Sequence, residues 1–186
     1  MKRIKQILKN CTGFTLAEVL LATLILLMVS VIVATGIPSA KNAYEKVVLA
    51  SNAEVLLSTT MNELRNELGT ARNVNQTNDQ QLTYRNSYTN SKSEIFKADG
   101  NSDPTGTIML QRYVVESGMG QGSSAARLTS EKASDGLYAT YGAVDYDKKT
   151  GIVIFSDLAV KRKGSASALV TMPTFSIRVF SAEKTA

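Results

Sequence analysis

Histidine and tryptophan are absent from this 186-residue chain, and cysteine occurs once, at Cys11. Without histidine, the chain lacks the side chain that most often transfers protons near neutral pH and most often binds metals. A single cysteine excludes an internal disulfide, so the folded part must depend on packing. No nucleophile–base pair and no cluster of metal-ligating residues stands out. We therefore expect no enzymatic activity, no cofactor and no metal.

An excess of basic charge is also missing from most of the chain, although the formal net charge is +5. Lys2, Arg3, Lys5 and Lys9 lie in residues 1–13, which hold no acidic residue. The remainder carries 17 basic and 16 acidic side chains and is nearly neutral. The sequence pI of about 9.3 is therefore no argument for a nucleic-acid-binding surface.

The chain does have one long apolar run, the 24 residues 14–37. At about 1.5 Å per residue a helix of this length spans ~36 Å, enough to cross a hydrocarbon layer of ~30 Å. The basic residues before it would keep the N-terminus in the cytoplasm. The run carries one charge, Glu18, and a carboxylate inside a membrane costs roughly 2.5–3.5 kcal/mol. Glu18 therefore needs a functional explanation.

The residues around Glu18 form a recognisable motif, because Gly13, Phe14, Thr15 and Leu16 precede it after a short basic leader. This arrangement resembles the prepilin processing signal of type IV pilins and type II secretion pseudopilins, and the resemblance covers residues 1–40. It implies cleavage between Gly13 and Phe14 by a membrane prepilin peptidase, followed by N-methylation of Phe14. It also implies that Glu18 neutralises the Phe14 amine of a neighbouring subunit during filament assembly, with Thr15 and Leu16 completing the motif.

The same resemblance implies partners and a location. The partners would be the prepilin peptidase and other pilin or pseudopilin subunits, the latter bound through the N-terminal helix. The subunit would first span the inner or cytoplasmic membrane once, with a cytoplasmic leader and an extracytoplasmic head, and would then enter an extracellular or periplasmic filament. Pairing of the Phe14 amine with Glu18 in a medium of low dielectric constant would be favourable and would fix the axial register.

Three other interpretations stay open. A secretory signal peptide could be cleaved near Ala34–Gly36, although the apolar run exceeds the ~7–15 residues of a usual signal. A plain single-pass anchor for an extracytoplasmic domain, with no filament, would leave Glu18 unexplained. A DNA-uptake pilin could contact nucleic acid through Lys161, Arg162 and Lys163, but a charged turn that keeps a hairpin soluble explains the same run.

A second helical pattern follows the apolar run. Gly36 and Pro38 predict a kink, and apolar residues then recur at helical spacing from Ala43 to Leu68. Gly69 suits the position just after a helix end. We expect one long kinked helix whose first half, residues 14–37, lies in the membrane or filament core. Its second half, residues 38–69, should be amphipathic and pack on a head domain.

Residues 70–186 predict a globular head with antiparallel strands joined by short turns. The fold class is therefore α+β, a long helix packed on a sheet of about four strands. Pro173 predicts an edge strand or a bulge, and residues 117–136 predict a flexible loop. The irregular head favours a minor pilin or pseudopilin over a major fibre subunit. The predicted strands, two of them weak, are 81–85, 94–97, 107–116, 137–145, 152–160 and 168–181.

Overall fold

The structure, a computed structural model, describes residues 15–100, 104–114, 122–130 and 136–179. The chain divides into two compact units, residues 1–47 and 48–186. One helix, α1 (Leu16–Gly69), contributes to both units. The predicted leader, residues 1–13, lies outside the described residues.

Within the described residues, the first unit is the N-terminal part of α1. Every residue from Thr15 to Val47 is exposed, including the large apolar side chains between Leu16 and Ile37. This part of the helix is long and apolar enough to cross a membrane, so the predicted apolar helix is confirmed. The helix continues through Pro38, and the kink at Gly36 and Pro38 stays a prediction.

In the second unit, the C-terminal part of α1 buries one face. The expected apolar stripe begins at Ala43, but Ala43, Val47 and Ala50 are exposed, and the buried face begins at Ala53. Thr60 is part of this face, and its hydroxyl donates a hydrogen bond of 2.7 Å to the Leu56 carbonyl, which removes the cost of burying it. The buried residues of α1 are Ala53, Leu56, Leu57, Thr60, Leu64 and Leu68.

The first sheet has five antiparallel strands in chain order. The central strands agree with the predicted segments, whereas residues 72–78 and 122–127 were expected to be loop. Both unexpected strands form edges of this sheet, where a strand needs few apolar side chains and periodicity is a weak signal. The strands are β1 (Arg72–Asn78), β2 (Gln81–Arg85), β3 (Lys92–Lys97), β4 (Ile108–Val114) and β5 (Gly122–Arg127).

The second sheet is built along one long strand, β8. Two short strands pair with consecutive parts of β8 in one unchanged register, and β9 pairs along its other edge. The predicted strand 137–145 is therefore present as two pieces. Among the described residues β9 pairs only with β8, which confirms the edge position predicted from Pro173. The strands are β6 (Leu137–Thr140), β7 (Ala143–Asp147), β8 (Ile152–Arg162) and β9 (Ala168–Arg178).

The second sheet contains an irregularity that we call the transverse break, formed by Gly142, Asp157 and Pro173. The register places Gly142 opposite Asp157, and Asp157 opposite Pro173. Asp157 has a left-handed backbone, with φ of 52°. At this level, successive inward-facing residues are three positions apart instead of two in β8, in β9 and across the junction between β6 and β7. The inward residues on either side are Tyr141 and Val144, Phe155 and Leu158, and Met172 and Phe175.

Polar side chains join the two sheets, among them Gln76 and Lys97. The side-chain amide of Gln76, on β1, donates a hydrogen bond to the Val144 carbonyl and accepts one from the backbone amide of Tyr146, each at 3.0 Å. Gln76 therefore bonds to β7 as a residue of a neighbouring strand would. Lys97 Nζ donates to the carbonyls of Tyr141 (3.2 Å) and Gly142 (2.8 Å), next to the transverse break. The apolar core lies between α1 and both sheets, and the α+β class is confirmed.

Candidate functional site

Thr15 and Glu18 cap the N-terminus of α1 through reciprocal hydrogen bonds. The Thr15 amide and hydroxyl both donate to Glu18 Oε2, at 2.9 and 3.0 Å, and the Glu18 amide lies 3.3 Å from the Thr15 hydroxyl oxygen. This is a capping box, in which two side chains satisfy amides that a helix start leaves unpaired. The site therefore has a local structural role in addition to any role in assembly.

The capping box was detectable in the sequence as threonine followed three residues later by glutamate. A negative charge in the first turn is also favoured by the helix dipole. Both intrachain bonds go to Oε2, and Glu18 Oε1 forms no hydrogen bond with any other described residue. The carboxylate is thus fixed in position by its own chain while one oxygen stays available to an additional donor.

The other predicted site residues are distributed as follows. Gly13 and Phe14, the predicted cleavage and methylation site, lie outside the described residues. Leu16 is the first residue of α1 and is exposed. Gly36 and Pro38 lie within the helix, so within the described chain only Thr15, Leu16 and Glu18 come together.

The basic run Lys161–Lys163 lies at the end of β8, which extends to Arg162. Arg162 and Lys163 are exposed, and Lys161 is partly buried. The run was expected to lie entirely in a turn, but its first two residues pair with β6. Their position on a strand end leaves the charges at the surface of the head.

A polar cluster in the head was not predicted. The side chain of Glu67, on α1, is only 11% exposed and forms an ion pair with Arg112. Glu67 Oε2 also accepts from the Tyr84 hydroxyl at 3.0 Å and from the Asn86 amide at 3.5 Å. Burial, reinforced by the Glu67 charge, raises the pKa of Tyr84. No sequence pattern links Glu67 with a residue 45 positions later, because only the tertiary fold brings them together.

Among the described residues, no group of three or more cysteine or acidic side chains is placed to hold a metal ion. Comparisons with protein-family models, curated proteins and solved structures found no match for this chain.

Proposed function

We propose that this chain is a structural subunit, a minor pilin or pseudopilin, of a type IV pilus-like or type II secretion-like filament. The observation that carries the proposal is an exposed apolar helix preceded by the motif Gly13–Glu18. An apolar surface of that size is unfavourable in water and needs a lipid or protein partner. A membrane before assembly and neighbouring helices after assembly would each supply one.

The length of the exposed apolar surface also supports assembly. A helix needs about 20 residues to cross a membrane, and residues 16–37 already supply that length. Beyond this stretch Tyr44 and Val47 are still 70% and 68% exposed. Helix packing between subunits would cover these two side chains, which a lone membrane anchor leaves in water.

In this proposal a prepilin peptidase cleaves after Gly13 and the Phe14 amine is methylated. The new amine is positively charged, and Glu18 of a neighbouring subunit neutralises it when the helices come together. Two opposite charges in a bundle of low dielectric constant attract strongly, and either charge alone is costly to bury. Oε1 of Glu18, which the capping box leaves available, is the oxygen suited to that contact.

Two variants of Glu18 separate the assembly role from the cap. Glu18→Gln removes the charge but keeps an acceptor for Thr15, since glutamine also completes a capping box. Glu18→Leu removes both. If the charge drives assembly, both variants should be processed normally and both should be strongly depleted from sheared filaments, measured by quantitative blotting against the membrane pool.

Normal incorporation of Glu18→Gln, with loss of Glu18→Leu alone, would assign Glu18 to the cap and contradict the pairing role. Intact-mass analysis provides the test of processing. The proposal requires a mature chain that begins at methylated Phe14, and Gly13→Val should accumulate the precursor. A mature chain that begins at Met1 or near Ile37 would contradict the proposal as a whole.

A further inference from the structure

The head contains a surface cleft of about 310 Å3 between the end of α1, the β2–β3 loop and β4. This volume lies at the lower end of the roughly 300–1,000 Å3 typical of small-molecule sites. Its lining is mainly polar side chains, among them Glu67, Thr70, Asn86 and Arg112, with one exposed aromatic residue, Tyr88. The cleft is unrelated to the N-terminal motif.

The floor of the cleft is fixed and electrically neutral. Glu67 and Arg112 form an ion pair, and the buried Tyr84 hydroxyl holds the second oxygen of Glu67. Glu67 would repel an anionic ligand and Arg112 would repel a cationic one, so the cleft favours binding of neither kind of ion. The Arg112 side chain is 53% exposed, and a guanidinium carries five N–H donors, so donors remain for a ligand.

The rim of the cleft presents Tyr88, which is 84% exposed. Hydrogen bonds within the loop hold Tyr88 in place, because Asn86 Oδ1 accepts from the backbone amides of Tyr88 (2.8 Å) and Thr89 (3.3 Å). The Ser87 hydroxyl also donates to the Thr70 carbonyl at the end of α1. An aromatic ring on a braced loop offers contact area at a small entropic cost on binding.

We propose that this cleft binds a neutral saccharide unit. A sugar ring has an apolar C–H face that stacks on an aromatic ring, and hydroxyls that both donate and accept hydrogen bonds. Tyr88 supplies the stacking surface and Arg112 supplies donors. The Thr70 hydroxyl and the second N–H of the Asn86 side chain, whose first N–H faces Glu67, can bond to sugar hydroxyls. The size of the cleft accommodates one or two rings. This inference does not depend on the proposed filament.

The test uses the full chain in a zwitterionic detergent, since detergents with sugar head groups would compete. The chain is applied to an array of neutral and anionic oligosaccharides, and the affinity of each retained neutral saccharide is then measured free in solution. Tyr88→Ala should weaken binding by roughly tenfold. Tyr88→Phe keeps the ring and should bind within about twofold of the unchanged chain. Leu169→Ala, which truncates an exposed apolar side chain of the head outside the cleft, should bind normally.

Retention of a neutral saccharide that depends on Tyr88 and is displaced by the same free saccharide supports the inference. Binding only when the saccharide is displayed on the array, with no competition by the free form, would contradict a cleft that encloses one or two rings. Failure to retain any neutral saccharide, retention of anionic ones alone, or equal binding by Tyr88→Ala would overturn it. Thermal unfolding of each variant shows whether a loss of binding reflects a loss of folding.

Discussion

Two tyrosines in the head are almost fully buried with their hydroxyls hydrogen-bonded. Tyr84 donates to Glu67, and Tyr141 donates to the Gln80 carbonyl at 2.6 Å. Tyr141 also packs edge-on against Phe155, with ring centroids 5.3 Å apart. Burial raises the pKa of both hydroxyls, and for Tyr84 the Glu67 carboxylate adds to the effect. Neither phenol can ionise in place without leaving a charge in the core.

These raised pKa values predict a loss of stability at alkaline pH. An unfolded tyrosine releases its proton near pH 10, while the folded protein retains it. The contribution of each buried tyrosine is therefore fully present below about pH 10 and is lost as the pH rises above it. Urea unfolding of the full chain in detergent at about pH 9 to 11.5, followed by tyrosine near-ultraviolet circular dichroism, measures the effect.

The informative quantity is the slope of unfolding free energy against pH. Replacing Tyr84 and Tyr141 by phenylalanine should reduce the alkaline slope, even if the lost hydrogen bonds lower stability at neutral pH. The exposed Tyr88→Phe variant is the matched control and should keep the slope of the unchanged chain. An unaltered slope in the double variant would show that other groups cause the alkaline unfolding.

At the scale of single elements, the transverse break shifts the inward-facing positions of the second sheet by one residue. Gly142 lies between the end of β6 and the start of β7. A β-carbon at this residue would lie 3.1 Å from both Cβ and Oδ2 of Asp157. Asp157 itself has a φ of 52°, a conformation that aspartate adopts more readily than branched residues. The carbonyls of Tyr141 and Gly142 at the break are satisfied by Lys97.

The conformation of Asp157 predicts different outcomes for two substitutions there. Asp157→Gly should change the unfolding free energy by less than ~1 kcal/mol, because glycine adopts a positive φ without strain. Asp157→Val should lower it by about 1–2 kcal/mol or more, because a branched side chain is disfavoured in that conformation. Urea unfolding measures both. Equal stability of the two variants would show that the backbone at this residue is not strained.

The elements differ in how far the sequence predicts them. Helix α1 follows from its apolar run, its periodicity and Gly69, whereas β2 was expected only as a weak strand at Gln81–Arg85. β1 and β5 were missed because edge strands bury little and carry few apolar residues. The buried stripe of α1 was placed too early, because spacing alone does not reveal where the sheets begin to cover the helix. Of the candidate site, the motif from Gly13 to Glu18 was visible, and the Glu67 cluster was not.

At the scale of the whole head, polar links join the two sheets in addition to the shared apolar core. Gln76 bonds to both the Val144 carbonyl and the Tyr146 amide. The Val144 amide also donates to the Asp79 carbonyl at 2.8 Å, so the end of the first hairpin continues the same contact. These bonds place β1 beside β7. Because the bonds join separate sheets, the head should unfold as one unit.

Gln76→Ala should therefore lower the unfolding free energy by about 1–3 kcal/mol, because it leaves a carbonyl and an amide without their partner. Asn75→Ala changes an exposed neighbour on the same strand and should have an effect within about 0.5 kcal/mol. Both are measured by urea unfolding of the full chain. A Gln76→Ala variant as stable as Asn75→Ala would show that water replaces both bonds without cost.

The transverse break also constrains how this sequence can change in length. β8, β9 and the junction between β6 and β7 each carry an extra residue at the same level, so the buried positions on both sides of the break stay aligned across the sheet. Deleting Gly142 alone would move every following residue of β7 to the opposite face. Related chains should therefore differ in length here by matched changes in β8, in β9 and at the β6–β7 junction, or not differ at all.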